Sequence, residues 1–298
     1  RAKEIAYPIT KAKIGLALCD HRLLDEMEGA KALAPEMQRI VPFGDGTLEA
    51  LMEKPGYETF TAADTAQDDV CLIAFTSGTT GEPKGTMHFH RDLLITCDTF
   101  GKHVLQANAS DRFIGSPPLA FTFGLGGLVL FPFRVGASTA MIERVGPADL
   151  LVAIHHYGAT VCFTAPTAYR AMLEEVGRIG AGELRICVSA GETLPKSTFL
   201  AWREKTGISL LDGLGSTEML HVFVGSRPGT NRPGATGQVV PGYEAKIIDE
   251  DGNDLPDGQP GRLAMRGPTG CRYLADERQK RYVQNGWNVS GDTYIRCA

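Results

Sequence analysis

Five apolar stretches of the chain each run into a short cluster of glycine, serine, threonine and proline. These stretches are near-continuous apolar runs, which is typical of strands that are covered on both faces of a mainly parallel sheet. The stretches and the clusters that follow them are Val70–Phe75 before TSGTTG, Arg112–Ile114 before GSPP, Thr160–Phe163 before TAPT, Leu184–Val188 before SAGE and Ile208–Leu211 before DGLGSTE.

Segments with helical spacing of apolar positions lie between these strands. They are Arg91–Val104, Pro147–Tyr157, Pro166–Ile179 and Pro195–Lys205. Alternating strands and helices predict an α/β fold with doubly wound, mainly parallel sheet layers. Sheets of this kind bind ligands beyond the carboxyl ends of their strands, where all five polar clusters fall. The pattern therefore predicts one shared site.

The pattern changes after Pro228, where Gly- and Pro-rich turns separate short strands such as Ala245–Asp249 and Arg262–Arg266. This spacing predicts a small β-rich, barrel-like subdomain. The segment 249–258 resembles a calcium loop but has no Glu at its twelfth position, so we interpret it as a hairpin turn. The predicted organisation is a partial α/β portion at 1–68, a nucleotide- and acyl-binding core at 69–235 and the β-rich subdomain at 236–298.

Composition narrows the class of protein. The chain has 298 residues, 43% hydrophobic and 22% charged, with a net charge of −5, as in an ordinary globular protein. It has no basic tract for nucleic acid and no apolar run of the roughly 20 residues that span a membrane. Seven scattered cysteines without a CxxC pair predict reduced thiols and a cytoplasmic location. Because the chain begins at Arg1, we expect a piece of a longer protein.

The strongest local motif is TSGTTGEPKG at 76–85. Its glycines let backbone N–H groups turn toward an anion, its hydroxyls add donors and its lysine adds a positive charge. These are the groups that a polyphosphate requires, although the motif is not the GxxxxGK[ST] loop.

Two further loops carry acidic residues. GLGSTE at 213–218 places a carboxylate near the predicted phosphates, which is favourable when Mg²⁺ lies between them. SGD at 290–292 offers an Asp that can accept hydrogen bonds from both ribose hydroxyls.

Other chemistries have weaker support. Cys187–Gly191 nearly matches the GxSxG elbow of α/β hydrolases, which makes Ser189 a remote candidate nucleophile. The pairs His88/His90 and His155/His156 lack the spacing of metal ligands on one face, so we expect helix-start packing and surface exposure for them.

Taken in order, five motifs resemble those of the adenylate-forming superfamily of acyl-CoA synthetases, luciferases and peptide-synthetase adenylation domains. They are TSGTTGEPKG, SAGE, GLGSTE, GRLAMRG and VSGD, over residues 70–296. SPPLAFTFGLGG and DGLGSTEMLH resemble the corresponding segments of benzoate and 2-aminobenzoate CoA ligases. The resemblance implies an ATP-dependent aryl-acid–CoA ligase that uses Mg²⁺ and coenzyme A and forms an acyl-adenylate. A medium- or long-chain fatty acyl-CoA ligase, or another acyl-adenylating enzyme, is the alternative.

The resemblance also implies roles for individual residues. The implied phosphate-binding residues are Thr76, Ser77, Gly78, Thr79, Thr80, Lys84 and Thr217, with Glu218 as the metal ligand. The implied adenine and ribose residues are Ser189, Ala190, Gly191, Glu192, Asp212, Gly213, Leu214 and Asp292. The implied acyl pocket comprises Phe121, Thr122, Phe123, Gly124, Leu214, Gly215 and His221, in which aromatic rings and glycines suit a flat acid.

Two departures from the family pattern stand out. Leu214 occupies a position that is usually aromatic, so contact with adenine there is apolar. The mobile C-terminal lid of the family would begin where this chain ends. Without the lid, we expect the chain to catalyse little or none of the complete two-step reaction. The partners implied are a small aromatic carboxylic acid, ATP and coenzyme A, with no nucleic acid and no membrane. A homodimer of the full-length parent is left open.

Overall fold

The structure, a computed structural model, describes residues 1–56, 59–76, 82–143 and 146–297. The chain divides into two compact units. Unit 1 comprises Arg1–Met87 with Tyr273–Asp276, and unit 2 comprises His88–Arg272 with Glu277–Ala298. The sequence-based domain boundaries at 68/69 and 235/236 stay a prediction.

Unit 1 contains two small sheets. Its elements are α1 (Ala2–Ala12), β1 (Leu16–Asp20), α2 (Leu24–Leu33), β2 (Arg39–Phe43), α3 (Thr47–Met52) and β3 (Val70–Thr76), followed by β4 (Lys84–Phe89), which ends in unit 2. The first two strands pair in parallel, and β3 pairs with β4. The expectation that Val70–Phe75 joins the main parallel sheet is therefore wrong. Only Ala74 of β3 is buried, so its apolar run is not covered on both faces.

Unit 2 is built on a seven-stranded sheet in the order β11-β10-β9-β8-β7-β5-β6. Its strands are β5 (Arg112–Gly115), β6 (Ser138–Ala140), β7 (Val161–Thr164), β8 (Ile186–Ala190), β9 (Leu210–Gly215), β10 (Val222–Gly225) and β11 (Gln238–Val239). In sheet order, β6, β5, β7, β8 and β9 pair in parallel with one another. Strand β10 pairs antiparallel with β9, and β11 pairs antiparallel with β10. This arrangement confirms the predicted α/β sheet.

Neighbouring residues of the central strands belong to different cores, because side chains alternate between the two faces of a strand. Phe163 contributes to one core and Cys162 to the other. Trp202 and Tyr169 lie in the second core and are fully buried. Both faces of the sheet are therefore covered, as the apolar runs predict.

The helices of unit 2 largely match the predicted segments. They are α4 (His90–Thr96), α5 (Thr122–Leu125), α6 (Phe131–Val135), α7 (Pro147–Tyr157), α8 (Pro166–Ile179), α9 (Lys196–Thr206) and α10 (Gln279–Tyr282). The predicted helix 91–104 is α-helical only to Thr96 and then π-helical over Cys97–Val104. A second π-helical segment, Gly126–Leu130, joins α5 to α6, and the sequence analysis did not anticipate it.

A four-stranded antiparallel sheet forms the β-rich part of unit 2. Its strands, β12 (Glu244–Ile248), β13 (Pro260–Arg266), β14 (Val283–Gln284) and β15 (Trp287–Ile295), follow the order β12-β13-β15-β14. Segment 249–258 lies between β12 and β13. There, Asp249 accepts hydrogen bonds from the backbone N–H and the side-chain amide of Asn253, at 2.8 and 3.0 Å. The carboxylate thus closes its own turn, as expected of a hairpin.

Within the residues described, no helix combines the length and the hydrophobicity that crossing a bilayer requires.

Candidate active site

Four of the five predicted polar clusters follow parallel strands that are neighbours in the sheet of unit 2. GSPP begins at the last residue of β5 and TAPT at the last residue of β7, while SAGE begins with the last two residues of β8 and DGLGSTE with the last four residues of β9. Thr164 pairs with Ser189 and Ser189 with Asp212, so the ends of β7, β8 and β9 are level. The structure thus brings these clusters to one edge of the sheet.

Asp212 stands at this edge on β9, paired with Ser189. Burial raises the pKa of its carboxyl from the ordinary 3.8 to about 7, and the Gly213 backbone N–H offsets only part of that rise. A carboxyl group in this state can donate a hydrogen bond near neutral pH as well as accept one.

Replacing Asp212 by asparagine is expected to stabilise unit 2 at alkaline pH. Because the pKa of Asp212 is raised in the folded chain, its contribution to stability is complete at a pH below the ordinary pKa of 3.8. That contribution is lost as the pH rises toward 7. Because the side chain is only partly buried, we expect a gain of about 1 kcal/mol at pH 8 and little change at pH 4. Urea unfolding followed by tryptophan fluorescence measures both. An equal effect at both pH values would contradict a buried carboxyl.

The loop after β9 forms a tight turn that carries Thr217 and Glu218. The Met219 N–H donates to the Ser216 carbonyl at 3.2 Å, and the Leu220 N–H donates to the Thr217 carbonyl at 3.2 Å. Leu220 has a φ of 72°, which is unfavourable for a leucine. Glu218 is only 8% exposed, so the turn holds a buried carboxylate.

His88 is a further member of the site that the sequence analysis missed. It is fully buried, not surface-exposed, and its Nε2 lies 2.8 Å from the Thr217 carbonyl oxygen. Burial lowers the pKa of His88 to about 4, while the Thr217 hydrogen bond and the charge of Glu218 oppose this. The expected surface exposure does hold for His155 and His156. A lone histidine at a strand end carries no sequence signal for this contact.

Two tyrosines connect Asp292 with the other acidic residues. Burial raises the pKa of Tyr282, and the charges of Glu218 and Asp292 raise it further. Burial likewise raises the pKa of Tyr294, with added effects from Asp292 and Asp212. Since such effects require proximity, Asp292 lies near both phenols, with Glu218 near Tyr282 and Asp212 near Tyr294. Neither tyrosine lies in a motif that predicts this site.

The carboxylate of Glu218 is a suitable ligand for Mg²⁺. This ion prefers hard oxygen ligands and commonly uses one or two carboxylates together with phosphate oxygens. Glu218 supplies a buried carboxylate. The described residues contain no group of three or more His, Cys, Asp or Glu side chains that could enclose an ion on their own.

The predicted phosphate loop belongs to unit 1. Thr76 ends β3, whereas Ser77, Gly78, Thr79 and Thr80 lie outside the described residues. Lys84 begins β4, and its Nζ donates to the Tyr273 hydroxyl at 2.8 Å while lying 4.8 Å from the centre of that ring. Tyr273 thus orients the lysine from within the same unit.

Of the predicted acyl-pocket residues, Phe123 packs beside the ring of His221, and two phenylalanines that were not predicted, Phe100 and Phe131, pack there too. The His221 ring lies 4.6 Å from Phe131, 5.4 Å from Phe100 and 5.8 Å from Phe123, between ring centres. Burial lowers the pKa of His221 to about 3. Neither ring nitrogen has a hydrogen-bond partner among the described residues. His221 is therefore a neutral imidazole with unused donor and acceptor capacity.

The other predicted acyl residues differ in exposure. Phe121 is 64% exposed, while Thr122 and Phe123 are partly buried. A Cβ at Gly124 would lie 2.2 Å from the Pro118 carbonyl oxygen, and one at Gly215 would lie 2.8 Å from the His221 carbonyl. The chain's own backbone fills the space that these glycines leave, so their small size serves packing.

The remaining adenine-side residues lie in β8 and β9 or just after β8. Ala190 pairs with Gly213, Leu214 is partly buried beside them, and Gly191 has a φ of 89°. Glu192 is exposed. Ser189 is fully buried within β8 and not on an exposed elbow, and no described residue hydrogen-bonds its hydroxyl. The hydrolase alternative therefore has no nucleophile.

Two curated proteins are similar to this chain in sequence. The benzoate–CoA ligase of Thauera aromatica is 35% identical over 298 residues, covering 97% of this chain and 56% of that protein. The anthranilate–CoA ligase of Pseudomonas aeruginosa is 35% identical over 259 residues, covering 85% of this chain and 49% of that protein. The chain thus spans about half the length of these relatives.

A solved structure shares the fold. The crystal structure of the anthranilate CoA ligase AuaEII in complex with anthranoyl-AMP superposes with a TM-score of 0.94 at 33% identity, covering 99% of this chain and 59% of that one. The sequence pattern of the AMP-binding enzyme family matches residues 1–273. The chain therefore belongs to the AMP-binding enzyme family.

Proposed function

We propose that this chain is part of an ATP-dependent aryl-acid–CoA ligase of the benzoate or 2-aminobenzoate type. In the first step, a carboxylate oxygen attacks the α-phosphorus of ATP and pyrophosphate leaves. In the second step, the thiolate of coenzyme A attacks the acyl carbon and AMP leaves. The observation that carries the proposal is the set of level strand ends that holds Asp212 and leads to Thr217 and Glu218, in the unit that also holds Asp292 and the His221 aromatic cluster.

The nucleotide roles follow from chemistry and position. Asp292 lies exposed on β15, where its carboxylate can accept hydrogen bonds from the two ribose hydroxyls. Asp212 and the strand ends around it would contact adenine, and Thr217 the α-phosphate. Thr76 and Lys84, with the loop between them, would bind the β- and γ-phosphates.

Glu218 would bind Mg²⁺, which when present supplies charge neutralisation for the phosphates. A buried carboxylate at this place would repel phosphate without such a cation. Coenzyme A as the thiol substrate is supported by the names of the relatives.

The His221 cluster supports an aromatic acid over a fatty acid. Phe100, Phe123 and Phe131 provide apolar ring faces, and the unpaired imidazole offers a donor and an acceptor within them. A ring that carries an amino or hydroxyl substituent could satisfy that group, whereas an alkyl chain leaves it unpaired. AuaEII, an anthranilate CoA ligase, was solved in complex with anthranoyl-AMP, whose ring carries an amino group. A cytoplasmic location and the oligomeric state stay predictions of the sequence.

Calorimetry of the chain with stable sulfamoyl analogues of acyl-adenylates tests the proposal. We expect the benzoyl and 2-aminobenzoyl analogues to bind more tightly than the octanoyl analogue. Asp292→Asn should weaken all of them about tenfold, because the ribose hydroxyls lose a charged acceptor. Asp251→Asn, a matched change of an exposed residue in the 249–258 turn, is the control and should have no effect. Tighter octanoyl binding would favour the fatty acyl ligase. An inert Asp292→Asn would contradict the assigned ribose site.

A further inference from the structure

His88 lies near the end of β4, and the proposed chemistry assigns it no role. It is fully buried, and its Nε2 is 2.8 Å from the backbone carbonyl oxygen of Thr217. A carbonyl oxygen can only accept, so the imidazole proton must be on Nε2. This contact joins two segments that are 129 residues apart in the sequence.

The carbonyl that His88 contacts belongs to the strained turn after β9. It also accepts a hydrogen bond from the Leu220 N–H, at 3.2 Å, and Leu220 itself has a φ of 72°. A leucine in that conformation persists only where surrounding contacts enforce it. The contacts that enforce this turn include the Thr269 hydroxyl, which donates to the Met219 carbonyl at 2.9 Å, and His88.

The histidine is buried beside the start of α4. Asp92 is 2% exposed, and its Oδ2 accepts from the Phe89 N–H at 3.0 Å and lies 3.9 Å from His88 Nδ1. The ring thus lies between the start of α4 and the turn. A buried donor has little freedom to lose when it binds its acceptor, which favours precise placement of the turn.

We propose that His88 is a positioning residue that holds the Thr217–Glu218 peptide in the conformation that binds Mg·ATP. The inference rests on the proposed function, since it takes from there the roles of Thr217 and Glu218. His88 acts through the Thr217 carbonyl and does not touch the substrate. Its loss would leave a carbonyl with a weaker set of partners and let the strained turn relax, moving the Thr217 hydroxyl and the Glu218 carboxylate.

Two nearly isosteric replacements separate this role from simple packing. His88→Gln can keep an N–H donor close to the position of Nε2, whereas His88→Met has a similar length and no donor. We expect His88→Met to weaken Mg·ATP binding about tenfold in calorimetry and His88→Gln to restore it to within about threefold of the wild type. Adenosine, which lacks phosphates, should bind both variants as it binds the wild type. Thermal unfolding followed by tryptophan fluorescence reports whether each variant folds.

Each outcome decides a different question. If the wild-type chain binds neither Mg·ATP nor the aroyl-adenylate analogues, the proposed function falls and this inference falls with it. If the wild type binds Mg·ATP but the Met and Gln variants bind it equally well, the inference alone is overturned. A parallel loss of adenosine and Mg·ATP affinity in the Met variant would show a general structural role and would also overturn it.

Discussion

Replacing Gly126 by alanine is expected to lower the free energy of unfolding of unit 2 by about 3 kcal/mol. A Cβ at this position would lie 2.3 Å from Cδ2 and 2.6 Å from Nε2 of His221. The imidazole cannot move aside easily because Phe100, Phe123 and Phe131 surround it. Overpacking of a filled core costs about 1–3 kcal/mol, and the enclosed ring places this site at the upper end. Urea unfolding measures the change, with the buried Trp202 as the reporter of unit 2.

A control and a double variant locate the cause of this loss. Gly15→Ala meets no atom closer than 3.9 Å and should change stability by no more than about 0.5 kcal/mol. Removing the ring with His221→Ala should relieve the collision, so the double variant should lose clearly less than the sum of the two single losses. Additive losses would contradict a direct collision between Gly126→Ala and the imidazole. The same collision should also weaken binding of the benzoyl-adenylate analogue.

The neutral state of His221 is expected to make unit 2 sensitive to acid. Its pKa is about 3 in the folded chain and 6.5 ordinarily, so the unfolded chain binds more protons between those values. The contribution of His221 is therefore complete above pH 6.5 and is lost as the pH falls toward 3. Between pH 7.5 and pH 5 we expect His221 alone to account for a loss of about 2 kcal/mol.

A comparison with His221→Leu isolates this contribution. His88 acts in the same direction, with a pKa of about 4, and Asp212 acts in the opposite direction, with a pKa of about 7. Both remain in the variant, so the difference in pH dependence between the wild type and His221→Leu belongs to His221. His156→Gln, an exposed change on α7, should keep the wild-type pH dependence. Identical pH dependence in His221→Leu and the wild type would show that the imidazole is not held neutral.

The central sheet could be predicted from the sequence because its strands are apolar on both faces. Val161–Thr164 and Ile186–Ala190 are buried throughout, and their sequence runs show it. Helix boundaries were equally clear where proline and glycine mark them, as in α7 between Gly146 and Gly158. Strand β3 was misassigned because an apolar run does not reveal which strand it pairs with.

The site could be predicted only in part. Asp212, Thr217 and Glu218 could be assigned to the same edge of the sheet because one strand and its loop carry all three. Asp212 lies in β9, and Thr217 and Glu218 come within three residues of its end. His88, Tyr282 and Tyr294 reach that site through tertiary contacts, and nothing in their neighbouring residues encodes such contacts. The glycines near His221 were interpreted as room for a ring, whereas Gly124 and Gly215 accommodate the chain's own backbone.

The two π-helical segments have a consequence for how this cluster could change. Each wide turn holds one more residue than an α-helical turn would, as if a single amino acid had been inserted into a regular helix. Phe100 lies in the first segment and Gly126 and Gly127 in the second, so both segments contribute to the surroundings of the imidazole. Deleting one residue from either segment is expected to restore regular α-helical winding there and to change which groups face the imidazole. The architecture thus contains two sites where a single-codon deletion could change the surroundings of the His221 ring.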